Sequence, residues 1–108
     1  NGGLTTCESL LMGVPVIALA GDRIISRQSA AMMNALGLDD FVADDWDQYV
    51  DIARRWSADT GALAQLRREL RQRLLASPLG DGKRYAEAVQ QIYASTWREW
   101  CERSRPDG

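Results

Sequence analysis

Histidine is absent from this chain. That excludes an internal Ser-His-Asp or Cys-His catalytic site and any histidine-ligated zinc. Cysteine occurs twice, at Cys7 and Cys101, too few for a zinc ribbon or a disulfide scaffold. Lysine occurs once, at Lys83, and the 13 basic residues are outnumbered by 15 acidic ones. The net charge is -2 and the isoelectric point is near 5.0. Modules that grip duplex DNA through its phosphates are strongly basic, so this balance argues against one. No run reaches the roughly 18 apolar residues of a membrane-spanning helix. The first residue is Asn1 and no signal-peptide pattern precedes it, so the expectation is a chain that starts inside a longer protein.

What is present is a globular composition, 45% hydrophobic and 26% charged over 108 residues, enough for one domain at most. Two regions differ in character. Residues 1 to about 43 are glycine-rich, apolar and short in period. Asn1-Gly2-Gly3 is a turn signal. Residues 5–12 read as a short helix, with Thr5 or Thr6 as its cap, Glu8 in its first turn and Gly13 at its end. Val16 to Ala20 is apolar at every position, as a buried parallel strand would be, and Pro15 can open such a strand. Residues 26–36 read as a helix capped by Ser26 and stopped by Gly37, with Ala30, Met33 and Leu36 or Met32 on one face. A short strand is expected at about 40–43, around Phe41-Val42. This alternation is the α/β signature.

From about residue 44 the sequence is charged and helical in period, with three helices expected. Asp45 caps the first, whose stripe is Trp46, Tyr49, Val50, Ala53 and Trp56. Asp59-Thr60-Gly61 is a break. Leu63, Leu66, Leu70 and Leu74 mark the next helix, over 62–76, which Ser77-Pro78 ends. Asp81 caps the last, roughly 82–102, with Ala86, Val89, Tyr93, Trp97 and Trp100 on one side. Core packing is the expected role of the tryptophans. Residues 105–108 read as a frayed tail. The arginines at 54, 55, 67, 68, 71 and 73 are interspersed with acids and read as a solvated face. Arg27 reads as a structural donor, Cys7 as a small buried side chain, and Lys83 as solvated.

The first eight residues carry the chemistry. A glycine pair before a helix lets backbone N–H groups approach a ligand closely. A helix N-terminus offers unpaired donors and partial positive charge, which suits a phosphate. Threonine hydroxyls add donors, and a carboxylate nearby can accept from ribose hydroxyls. Gly2, Gly3, Thr5, Thr6 and Glu8 thus compose a candidate nucleotide-diphosphate site: backbone and threonines on the phosphates, Glu8 on the sugar. In doubly wound folds such loops lie at the carboxyl ends of strands, so a strand ending at Asn1 is expected.

The whole run from Asn1 to Val16, NGGLTTCESLLMGVPV, resembles the nucleotide-sugar loop of glycosyltransferases with two Rossmann-like lobes, the GT-B type. Its continuation is more specific. Leu19-Ala20-Gly21-Asp22, Ser26-Arg27, Ala30-Ala31, Leu36-Gly37, and then Ser77-Pro78-Leu79 with Tyr85, Tyr93 and Trp97, are similar to the O-linked N-acetylglucosamine transferase family. The bacterial, SPINDLY-like members with tetratricopeptide repeats look nearest. The resemblance implies a helix-rich C-terminal portion of a Rossmann-like GT-B lobe, with residues 1–43 ending the nucleotide-sugar-binding part and 44–104 closing it. It also implies UDP-N-acetylglucosamine as donor, a protein Ser/Thr acceptor held through upstream repeats, a cytoplasmic location and no obligatory metal. The family's paired threonines and acidic residue fall on Thr5, Thr6 and Glu8. A register one residue different pairs Leu4 and Thr5 instead. The family's base and phosphate lysine have no counterpart here, so the polypeptide alone is expected to be inactive.

Two other readings stand beside this one. The loop also suits GT-B enzymes with a glycan, lipid or small-molecule acceptor, and residues 44–104 suit a helical interaction module. The all-apolar strand expects neighbours on both sides, so an exposed edge and self-association are expected.

Overall fold

The structure, a computed structural model, describes residues 2–104. Asn1 and the tail at 105–108, with the expected strand end and fraying, lie outside the described residues. The order is α1 (Leu4–Leu11), β1 (Ala18–Leu19), a 3-10 turn (Ile25–Arg27), α2 (Gln28–Ala35), a second 3-10 turn (Asp39–Phe41), β2 (Val42–Ala43), α3 (Trp46–Ala58), α4 (Thr60–Ala76) and α5 (Gly82–Arg103). The expected helix-rich α/β architecture is therefore present. None of these helices is long and apolar enough to cross a membrane.

β1 and β2 pair in parallel, Ala18 opposite Val42 and Leu19 opposite Ala43, with α2 as the crossover between them. The expected five-residue strand is regular over two residues only. A ladder extends as far as its partner, and β2 is short because a 3-10 turn feeds directly into it. Ala20 N–H extends the pairing by one bond, to the Ala43 carbonyl at 2.8 Å.

Two glycines end the first two helices. Gly13 (φ +74°) and Gly37 (φ +71°) adopt the left-handed conformation that closes a helix. At Gly13 the Val14 N–H bonds the Ser9 carbonyl, and at Gly37 the Leu38 N–H bonds the Met33 carbonyl. Gly13 does more. It is buried, and a Cβ there would lie 2.9 Å from the Arg67 carbonyl oxygen. Arg67 Nε in turn donates to the Gly13 carbonyl at 3.0 Å. The end of α1 is thus seated directly on the backbone of α4.

The core forms where α1, α2, the two strands, α3 and α4 meet. Leu10, Met33, Phe41 and Leu70 are its largest fully buried side chains. Ala30, Met33 and Leu36 are buried as expected, and so are Leu66, Leu70 and Leu74 of α4. Asp59 alone joins α3 to α4, its carboxylate accepting from Ala62 N–H at 3.0 Å, so Thr60 and Gly61 are helical rather than part of a break. Asp45 and Asp81 cap α3 and α5 as expected.

The tryptophans divide. Trp56 stacks on Phe41, ring centroids 4.6 Å apart, and packs against the core. Trp46, Trp97 and Trp100 do not: they are 70%, 65% and 61% exposed. In α3 the inward face is Tyr49, Ile52 and Trp56, with Ile52 buried and Val50 turned outward. A stripe's width fits several faces, and the positions of β2 and α4 choose among them. In α5 no residue is buried. This 22-residue helix, about 33 Å long, carries its aromatic side free and stretches the molecule to 69 × 30 × 19 Å.

Four substitutions test this division by urea denaturation. Gly13→Ala is expected to cost about 2–4 kcal/mol, combining left-handed strain with a backbone clash. Gly37→Ala, where a Cβ would meet nothing within 4 Å, is expected to cost only about 1 kcal/mol. Leu70→Ala should cost about 2–5 kcal/mol, and Trp97→Ala should stay within about 0.5 kcal/mol of the parent. Equal losses at the two glycines would refute the seating of α1 on α4.

Candidate functional site

The site is built on the turn that enters α1. Gly3 is the N-cap, with no side-chain cap bond, and Thr6 N–H bonds the Gly3 carbonyl at 3.1 Å. Neither threonine caps the helix: Thr5 and Thr6 are its second and third residues, and Glu8 follows in the second turn. The helix starts earlier than composition suggests because a glycine can itself hold the N-cap position. Among the described residues, the N–H groups of Leu4 and Thr5, ahead of the first intrahelical bonds, have no backbone partner.

Helical geometry then separates the candidates. Thr5 and Glu8, three apart, share one face and are both exposed. Thr6 faces inward and is 3% exposed. Its hydroxyl lies 3.0 Å from Ser29 Oγ, and Ser29 donates to the Gly2 carbonyl at 2.7 Å. Gly2 sits between the two threonine hydroxyls: a Cβ there would lie 2.5 Å from one and 2.8 Å from the other. A side chain at Gly2 would force the threonine hydroxyls to move. Cys7 is half-buried, its Sγ 3.7 Å from Met32 Sδ.

A groove of about 690 Å³ opens beside this turn. It runs along Val16 to Gly21 and is closed by Gly2, Ser26, Ser29, Asp44, Asp45, Trp46 and Tyr49. Of the five candidates only Gly2 lines it; Gly3, Thr5, Thr6 and Glu8 stand outside its lining. The groove gathers residues from just beyond each strand: Gly21 and Ser26 after β1, Asp44 and Asp45 after β2. Convergence at the carboxyl ends of parallel strands is where α/β sheets bind ligands. Sequence reading assigned Ser26 and Asp45 as caps and passed over Ser29, Asp44 and Tyr49 as site residues. The signal that would have found Asp44 is its place directly after β2; Ser29 and Tyr49 reach the groove only through the packing of α2 and α3.

The turn after β1 is organised locally. Ser26 does not cap α2. Its Oγ accepts from Arg23 N–H at 3.0 Å and donates to the Arg23 carbonyl at 2.7 Å. Arg27 donates to the Gly21 carbonyl at 3.0 Å, the structural role expected of it. Among the described residues no group of three His, Cys, Asp or Glu side chains is placed to hold a metal ion.

Comparison with known proteins bears on this turn directly. The model of glycosyl transferase family 41 matches residues 1–89. A tomato (Solanum lycopersicum) protein named probable UDP-N-acetylglucosamine–peptide N-acetylglucosaminyltransferase SPINDLY is 36% identical over 105 residues, 97% of this chain and 11% of its own length. Its barley (Hordeum vulgare) namesake is 35% identical over 105 residues. A Caenorhabditis elegans UDP-N-acetylglucosamine–peptide N-acetylglucosaminyltransferase is 28% identical over 100 residues, 93% of this chain and 9% of its own. These relatives are plant and nematode proteins, so they carry the family and not its bacterial subgroup. The chain spans about a tenth of their length. The family match includes the glycine turn, α1, both strands and the helices up to the first part of α5, and on that extent this chain belongs to glycosyl transferase family 41.

Proposed function

We propose that this chain forms one wall of the donor site of an enzyme that moves N-acetylglucosamine from UDP-N-acetylglucosamine onto protein Ser or Thr hydroxyls. The observation that carries this reading is the family match across the glycine turn that opens α1, with Thr5 and Glu8 exposed on one face of the helix. In such a transfer the barrier is charge growing on the departing diphosphate. Donors already aimed at the phosphates stabilise that charge without reorganising at the moment of reaction. The Leu4 and Thr5 N–H groups and the Thr5 hydroxyl would supply them. Glu8, on the same exposed face, would accept from the ribose. Thr6, with its hydroxyl committed to Ser29, would hold the turn in shape.

The chain has no histidine to serve as a base. The reading therefore assigns the proton acceptor, the uracil contacts and the acceptor peptide to other parts of a protein several times longer. Upstream tetratricopeptide repeats, a second Rossmann-like lobe, a bacterial source and a cytoplasmic location belong to the same proposal. One observation favours a second reading, a helical interaction module: the free aromatic side of α5, with Tyr93, Trp97 and Trp100 all exposed.

Titration of the 15N-labelled chain with UDP separates the two. A donor wall predicts amide shifts concentrated at Gly2, Gly3, Thr5, Thr6 and Glu8, with affinity about tenfold weaker in Thr5→Val, the loss of one hydrogen bond to a charged group. Absence of any shift at millimolar UDP in the folded chain would reject the donor-wall reading. Sugar transfer by this polypeptide alone would reject its incompleteness.

A further inference from the structure

We propose that Ser29 is a positioning residue of the nucleotide turn, its buried hydroxyl holding the Gly2 carbonyl and the Thr6 hydroxyl in place. The proposal rests on the donor-wall reading above and extends it to a residue outside the glycine-threonine motif. Ser29 is the second residue of α2, 23 positions beyond Thr6, and 4% exposed. Its Oγ donates to the Gly2 carbonyl oxygen at 2.7 Å. Thr6 Oγ1 lies 3.0 Å from the same Oγ. The chain of bonds runs Thr6 to Ser29 to Gly2, and ties the N-terminal ends of α1 and α2 together.

The hold on Gly2 matters chemically. The open end of α1 attracts anions because its N–H groups are unpaired. A carbonyl oxygen beside those groups, carrying partial negative charge, would oppose a phosphate. The Ser29 bond fixes the carbonyl just before the N-cap residue, and with it the backbone that leads into the Leu4 and Thr5 N–H groups. The missing Cβ at Gly2 permits this, since any side chain would collide with both threonine hydroxyls. Ser29, which also borders the groove, acts on this turn through its bond to Gly2.

Four variants of the chain test this: Ser29→Ala, Ser29→Thr, Thr6→Val, and Ile52→Val as a mild core lesion away from the turn. Without ligand, Ser29→Ala should shift the Gly3, Leu4 and Thr5 amide resonances and speed their hydrogen exchange about tenfold, the loss of about one buried hydrogen bond. UDP should then bind about tenfold more weakly. Thr6→Val should act in the same sense, the double variant should be no worse than about additive, and Ser29→Thr, which keeps the hydroxyl, should recover most of the affinity. Turn amides unchanged in Ser29→Ala overturn the proposal. So does unchanged UDP affinity despite a loosened turn, or an equal loss of affinity in Ile52→Val. Should the parent chain bind no UDP, the donor-wall reading falls by itself. The ligand-free amides still decide whether Ser29 sets the turn. If Ser29→Ala does not fold, Thr6→Val carries both comparisons.

Discussion

The seating of Gly13 on the Arg67 backbone is the contact that the rest of the molecule depends on. At that point α1 must stop, the chain must turn into Pro15 and β1, and α4 must be close enough for its backbone to touch the turn. One residue type satisfies all three demands, because a left-handed φ and a 2.9 Å approach leave no room for a Cβ. The bond from Arg67 Nε to the Gly13 carbonyl closes the joint from the other side. Through it the α/β part and the following helices share one core, with Leu10 of α1 and Leu70 of α4 both fully buried. An arginine that looks like one more charge on a solvated helix is thus a structural donor, while its neighbours Arg68 and Arg73 pair with side chains of α4 itself.

That joint also decides where the glycine turn points. With α1 clamped at its C-terminal end, its N-terminal end lies beside the start of α2, and the Ser29 hydroxyl bridges them. The carboxyl ends of β1 and β2 open on the same side, so the loops after both strands and Gly2 border one groove. A site of this kind needs rigid edges and an open mouth. Here the rigidity comes from backbone-directed bonds, Ser29 to Gly2, Ser26 to Arg23 and Arg27 to Gly21, none of which depends on a charged pair.

α5 follows different physics. Its N-cap at Asp81 and its apolar periodicity are those of any packed amphipathic helix, and its own hydrogen bonds hold it. Yet no described element buries it. An aromatic stripe records that a helix has a side made for contact; it does not contain the partner. The same holds for β1, whose all-apolar run is paired with β2 on one side while the groove runs along the rest. Membership of a family whose relatives are about nine times longer gives these uncovered surfaces a natural context.

Much of the architecture was legible in the residues themselves because its signals are local. Asp45 and Asp81 cap the helices they precede, Gly13 and Gly37 end theirs, and Ser77-Pro78 closes α4, all through bonds spanning a few residues. The leucine spacing of α4 and the Ala30-Met33-Leu36 face needed only helical period. The glycine-threonine turn stood out by its composition, and its run of residues pointed to the family. What the chain's local pattern could not contain was direction. Which of two adjacent threonines faces the core, whether Trp46 or Trp56 packs, whether Val50 or Ile52 is buried, and which arginine reaches across to Gly13 all depend on where distant elements come to rest. Local bonds and period are written in the sequence; the facing of each side chain is settled by contacts between residues tens of positions apart, and only the tertiary structure brings those together.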